Sequence, residues 1–267
     1  MRIRIVMMVV VTVLLAEYAS AQTPLKVFCS NGMKAVLQDL RVRAEREVGR
    51  PLGNVEFNTS AAIRQKIQTG EAFDVAIITA EVTDDLIKAG KLSANSRTEL
   101  GRSGIGVAVR TGAPKPDVTT LDGLKQALMK TKSMTWVESG ASRPFIDRML
   151  AELGITQDVK SKIVLSKNVD ESIETVAAGK TEMLITLISE IIPAKGLQYA
   201  GPLPAKVQGY VTLAGGVGTN SKNADAGIAL LRLLSAPSAV QAYKSKGMEL
   251  VIRGDFDRAP SKPLPRK

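Results

Sequence analysis

Leu25-Lys26-Val27-Phe28-Cys29-Ser30-Asn31-Gly32 passes from an apolar, strand-like run through a hydroxyl and an amide straight into a helical pattern. The same junction recurs at Val55-Glu56-Phe57 into Asn58-Thr59-Ser60 and at Met134-Thr135-Trp136-Val137 into Ser139-Gly140-Ala141-Ser142. A weaker instance is Ile163-Val164-Leu165 into Ser166-Lys167-Asn168. A helix that starts at a strand end exposes N–H groups without intrahelical partners, together with the positive end of its dipole. Such ends attract anions, and a hydroxyl at the cap adds a short, adaptable donor. One junction is an ordinary cap; several in one α/β chain point to a single anion-sized cleft.

Working outward, strands and helices alternate. Strand 25–29 leads to a helix over 32–48 with Met33, Val36, Leu37, Leu40 and Ala44 on one face, stopped by Gly49-Arg50-Pro51. Strand 55–57 leads to helix 60–69, which Gly70 ends. Phe73 to Ile78 reads as a buried strand, followed by a helix capped by Thr83 and ended by Gly90. This βαβαβα series calls for a parallel sheet covered on both faces.

A glycine-punctuated extended segment over 101–110 breaks the register, and a second series follows. It comprises helix 121–130, strand 134–137, helix 142–153, strand 162–165, helix 169–178 and strand 182–188. A second extended stretch, Val207 to Gly216, precedes helices near 222–235 and 237–246 and a short strand at 248–252. Two βα series joined by two extended crossings predict a two-lobed α/β protein, each lobe a mainly parallel sheet flanked by helices, hinged at the crossings. The expected bounds are 22–102 with 212–254 for lobe 1 and 103–211 for lobe 2, leaving 255–267 as a disordered tail rich in Pro, Lys and Arg. A single continuous doubly wound sheet is the alternative.

The first 21 residues read as a secretory signal. A charged Met1-Arg2-Ile3-Arg4 precedes an apolar run from Ile5 to Leu15, too short to span a bilayer, and Ala19-Ser20-Ala21 offers a cleavage site before Gln22. The expected location is the periplasm. The formal charge is +10, of which Arg2, Arg4 and Glu17 account for one positive charge. Nucleic acid is not an expected partner, because the basic residues are scattered and lack aromatic interleaving. With no histidine and a single cysteine, Ser-His-Asp catalysis, His-ligated metal and an intramolecular disulfide are all excluded. Cys29 sits in an apolar run and reads as a buried, inert thiol. No metal or cofactor is called for.

Several stretches resemble the periplasmic molybdate-binding proteins and their relatives, the type II extracellular solute-binding proteins of ABC importers. They are Val27-Phe28-Cys29-Ser30 with Leu37-Gln38-Asp39-Leu40, Phe57-Asn58-Thr59-Ser60-Ala61-Ala62-Ile63, Gly70-Glu71-Ala72-Phe73-Asp74-Val75-Ala76-Ile77, and Gly201-Pro202-Leu203-Pro204. The resemblance implies two lobes closing on a small anion, and a monomeric receptor that meets an inner-membrane permease. It implies that the anion is held by hydroxyls and backbone N–H groups: Ser30, with Asn31 beside it, and Ser60 with Ala61 in lobe 1; Ala141, Ser142 and Val169 in lobe 2. The chain departs from the family pattern where Leu187 takes the place of a tyrosine and where Arg64 and Arg143 replace small or neutral residues. Arg64 is one helical turn beyond Ser60, and a guanidinium suits a planar carboxylate in a bidentate fork. These departures predict an organic carboxylate rather than a molybdate-type oxyanion, with Arg64 and Arg143 as ligand contacts.

A second reading is an enzyme. Some exported members of this family resemble binding proteins yet interconvert trans- and cis-aconitate, a proton shift beside a carboxylate that needs no cofactor. The proton shuttle would then be Ser30, Glu138 or Glu190. A DNA-binding regulator built on the same fold would need a helix-turn-helix where this chain has its leader.

Overall fold

The computed structural model describes residues 23–251; the expected leader, its cleavage site and the tail lie outside these residues. The first series builds β1 (Val27–Ser30), α1 (Asn31–Val48), β2 (Glu56–Asn58), α2 (Ser60–Gln68), β3 (Val75–Thr79) and α3 (Ala80–Lys88). The long strand β4 (Thr98–Arg110) leaves it. The second series follows with α4 (Leu121–Lys130), β5 (Met134–Val137), α5 (Arg143–Glu152), the one-turn α6 (Thr156–Val159), β6 (Ile163–Ser166), α7 (Val169–Ala177) and β7 (Met183–Leu187). A single turn α8 (Ile188–Ile191) and strand β8 (Leu197–Pro202) precede the return strand β9 (Tyr210–Val217). The helices α9 (Ala224–Ser235) and α10 (Val240–Ser245) and the short strand β10 (Met248–Leu250) complete the described chain.

The strand order is β2-β1-β3-β9-β4-β7-β5-β6, with β8 and β10 as further partners of β4. β1 lies parallel to β2 and β3, and β5 parallel to β6 and β7. Every residue of β1, β3, β5 and β7 is buried, because helices cover both faces of these strands. This is why they read as unbroken apolar runs rather than alternating ones. α1 forms on the periodicity of Met33, Val36, Leu37, Leu40 and Ala44, all buried, and ends at Gly49 in the left-handed region (φ 73°).

β4 belongs to both halves. Residues Thr98–Gly104 pair antiparallel with β9, and Ile105–Val109 pair with β7. β9 in turn pairs with β3 over Leu213–Val217, so the two extended crossings lie side by side where the two lobes meet.

Two expectations are corrected. Thr83 does not start a helix: α3 begins at Ala80 directly after β3, and the Thr83 hydroxyl, inside the helix, donates to the Thr79 carbonyl at 3.0 Å. No loop separates strand from helix, so the cap falls a full turn earlier. The final second-lobe strand ends at Leu187, where the chain turns into α8 instead of running to 188. β8 was not anticipated. It pairs only with β4, across an irregularity between Val107 and Ala108, and carries Gly201 and Pro202, which suit an edge strand but mask it in sequence.

The crossing is tightly packed at Gly101, where a β-carbon would lie 2.5 Å from Tyr243 Cε1 and 2.8 Å from the Glu249 carbonyl oxygen. Tyr243 is fully buried and donates from its hydroxyl to the Leu234 carbonyl at 3.0 Å. Gly101→Ala is expected to cost about 1–3 kcal/mol of stability through overpacking, read by chemical denaturation; an unchanged midpoint would refute this account of the packing.

Candidate functional site

The helix starts of α1, α2, α5 and α7 follow the carboxyl ends of β1, β2, β5 and β6. The parallel strands of each lobe point these ends toward one cleft. Ser30, Asn31, Thr59 and Ser60 line it from the first lobe. Val137, Gly140, Ala141, Ser142 and Val169 face them from the second, with Thr186, Leu187 and Glu190 alongside. The space enclosed is about 20 Å³, little more than one water occupies. The facing walls of the two lobes therefore lie close together here.

The hydroxyls do not serve as plain caps. Ser30 and Ser142 stand at the N-cap positions of α1 and α5, yet neither side chain closes a cap hydrogen bond, and both are buried. At α2 the cap is Thr59, whose Oγ1 accepts from the Ala62 N–H at 3.2 Å. That frees the next residue: Ser60 Oγ accepts from the Thr79 N–H at 3.0 Å and keeps its own hydrogen to donate. Asn168 caps α7 by accepting from the Glu171 N–H at 2.9 Å, which leaves Val169 as the first residue of a dipole end at the cleft. Ala61, the second residue of α2, is exposed and does not line the cleft, although its N–H is among the unpaired donors of the helix start.

Both arginines point elsewhere. Arg64 Nη1 lies 3.4 Å from Asp85 Oδ2 on the neighbouring helix, with its side chain 43% exposed. Arg143 Nε donates to both carboxylate oxygens of Asp147 at 2.8 Å, one turn along α5. Neither is among the lining residues, and neither is Glu138, an exposed residue whose N–H donates to the Ser166 carbonyl at 2.9 Å. Among the described residues no Lys or Arg lines the cleft.

Glu190 does line it. Its Oε2 accepts from the Thr186 hydroxyl at 2.5 Å, one turn back in the chain. Burial pushes its carboxyl up to about 7, against the pull of the Thr186 hydroxyl and the Leu187 N–H, and the charge of Asp170 adds to the rise. Beside it Leu187 closes onto the start of α1: a β-carbon at Gly32 would lie 2.9 Å from Leu187 Cδ1. Cys29, on the strand below Ser30, is fully buried, and burial raises its thiol far above the ordinary range.

Thr59, Val137, Gly140 and Thr186 also line the cleft but were not singled out in sequence. Thr59 belongs to the second junction and Val137 and Gly140 to the third, so these three carry a signal in the sequence. Thr186 carried none, being an ordinary β-branched residue inside a buried strand. A larger groove of about 620 Å³ lies at the far end of β4, beside α4 and Gly179–Met183. Its carboxylates are already engaged, Glu182 by Thr131 and the Lys132 N–H, Asp117 by Thr119, and no set of helix starts converges there.

The sequence profile of the bacterial extracellular solute-binding proteins matches residues 25–249, and the chain belongs to that family. An aconitate isomerase from Pseudomonas sp. is 28% identical over 240 residues, covering 87% of this chain and 90% of that protein. The molybdate-binding protein ModA of Azotobacter vinelandii is 24% identical over 241 residues, covering 87% and 92%. The solved structure of the periplasmic molybdate-binding protein of the same organism superposes with a TM-score of 0.71 at 17% identity, over 85% of this chain and 99% of that one. Such two-lobed neighbours share the fold described above.

Ser60 gives a direct test of the local account. Ser60→Ala leaves the buried Thr79 N–H without an acceptor and is expected to lower stability by about 1–3 kcal/mol in thermal or urea unfolding. A variant as stable as the parent would show that this hydroxyl does not tie α2 to β3.

Proposed function

We propose that this protein is an exported, periplasmic receptor that closes its cleft on a small anion and delivers it to an ABC-type permease. The observation that carries the reading is the meeting of buried hydroxyls and helix starts from both lobes on one cleft with, among the described residues, no cationic side chain in its lining. Fixed dipoles of this kind replace the hydration of an anion without a countercharge. The lobe bounds adopted are 22–102 with 212–254 and 103–211; the switch of β4 from β9 to β7 between Gly104 and Ile105 supports them.

Among anions an organic carboxylate is favoured, but on other grounds than the arginines. Leu187 and Val137 offer a carbon skeleton apolar contact, and Glu190 is a poor neighbour for a compact dianion of high charge density. The proposed contacts are Ser30, Asn31, Ser60, Ala141, Ser142 and Val169, joined by Thr59 and Thr186; Arg64 and Arg143 are left outside. Calorimetry against molybdate, sulfate and a panel of mono-, di- and tricarboxylates tests this. Ser142→Ala is expected to weaken binding about tenfold or more, the worth of one hydrogen bond to a charged group. Arg64→Ala is expected to leave affinity within about twofold, as an exposed ion pair is worth little. Binding of no anion would sink the receptor reading, and molybdate as the tightest ligand would sink the carboxylate preference.

A second reading is favoured by Glu190 and by the relative named an aconitate isomerase. A carboxyl that titrates near neutrality beside an anion cradle is placed to move a proton. In trans-aconitate a proton leaves the CH₂ beside a carboxylate, the double bond shifts by one carbon, and a proton returns to the former alkene carbon, so no atom is gained or lost. Glu190 would carry the proton, while the hydroxyls and helix starts steady the developing negative charge. The test is appearance of the cis isomer from trans-aconitate, with turnover in Glu190→Gln down by about a hundredfold or more. Absence of turnover at high protein concentration removes this reading.

A further inference from the structure

We propose that Glu190 couples anion capture to proton uptake: the cleft closes on one anion together with one proton, which the Glu190 carboxyl retains while the anion is bound. The inference rests on the reading of the cleft as an anion receptor. Its geometric basis is the placement of a carboxyl within an anion cradle. Glu190 shares the lining with Ser30, Ser60 and Ser142, and among the described residues no Lys or Arg stands there to neutralise it. The cleft that half-buried Glu190 shares with these hydroxyls is narrow, about 20 Å³, so a bound anion and an ionised Glu190 would be close and weakly screened. An ionised Glu190 and a bound anion therefore oppose each other, whereas a protonated Glu190 removes the repulsion and gains a donor.

The surroundings keep the proton available rather than permanently lost or permanently fixed. The Thr186 hydroxyl holds Oε2 at 2.5 Å, which favours the ionised form, while burial disfavours it. The two leave the carboxyl near 7, so the solute-free cleft exchanges its proton close to neutrality.

The elements packed against α8 are β4, α1, β7 and β8. β7 carries no ionisable side chain. On α1, Lys34 is 3.5 Å from Asp170, the carboxylate of α7 whose charge reaches Glu190. On β4, Arg102 is held by Glu249 at 2.6 Å, and on β8 burial keeps Tyr199 protonated throughout the neutral range. None of these is a cation free to take over the role of the proton.

The consequence is a sign and a slope. Above about pH 7 the free cleft must acquire a proton in order to bind, so affinity falls about tenfold per pH unit for an anion that is itself fully ionised; below it the affinity levels off. Molybdate serves as the probe from pH 6.5 upward and trans-aconitate from about pH 7.5, the ranges in which each is essentially fully ionised. Calorimetric titration at pH 8 in buffers of different ionisation enthalpy is expected to show close to one proton taken up per anion by the parent protein. Glu190→Gln, of the same shape, is expected to show none, and an affinity that no longer changes between pH 6.5 and 8.5.

Binding with no proton uptake would overturn the inference alone, since Glu190 would then stay ionised and accept a hydrogen from the ligand. Uptake that persists in Glu190→Gln would overturn it equally by assigning the proton to another group. Failure of every anion to bind would remove the receptor reading and this inference with it. A solute-free measurement stands independently: the carboxyl carbon of Glu190, assigned by its loss in Glu190→Gln, is expected to titrate near 7 by ¹³C NMR. A midpoint in the ordinary carboxylate range would refute the coupling.

Discussion

An anion taken out of water loses a hydration shell that an apolar interior cannot replace, and every unpaired charge moved inside carries a large penalty. On the proposed reading of this chain the replacement is built from backbone. Four helices begin at the ends of parallel strands, and their first N–H groups have no partner within the helix. The remaining structure serves to bring these ends together and keep water out. Thr59 takes the capping duty at α2 so that Ser60 keeps a hydrogen to give, and Gly32 allows Leu187 to seal the start of α1. The site is thus an arrangement of orientation rather than of charge.

That arrangement depends on β4. One strand pairs with β9 and β10 over its first half and with β7 and β8 over its second, so the two lobes are continuous through a single length of backbone. The adjacent β9 gives a second connection. The two strands run antiparallel side by side between the lobes and so fix how Ser30 and Ser60 face Ser142 in this structure. The packing of Tyr243 onto Gly101 anchors the first-lobe end of this pair.

Most of the architecture was legible because parallel strands buried on both faces leave continuous apolar runs, and amphipathic helices leave a 3.6-residue period. What escaped did so for physical reasons. β8 holds one edge of β4 and tolerates Gly201 and Pro202, residues that argue against a strand anywhere else. The cap at Thr83 was misplaced because β3 turns into α3 with no loop to mark the change. The two arginines illustrate a different limit. Residues four apart do share a helix face, but one turn of α2 carries Arg64 from the cleft to the rim, where Asp85 of the next helix pairs with it. For Arg143 the partner Asp147 stood at i+4 in the sequence. Glu190 was visible as a carboxylate past a strand end, while its burial against Thr186 emerged only from the fold.

Lys34 of α1 and Asp170 of α7 meet at 3.5 Å, one from each lobe, Lys34 half-buried and Asp170 open to solvent. Such a contact contributes little to folding, and it bridges the two lobes. It is also exposed to dissolved ions in a way that the hydroxyl-lined interior is not, because screening acts within about 10 Å at moderate salt. Asp170 is the same carboxylate whose charge reaches Glu190. On the proposed reading of the cleft, ionic strength would act on both the contact between the lobes and the Glu190 carboxyl through one surface residue, Asp170.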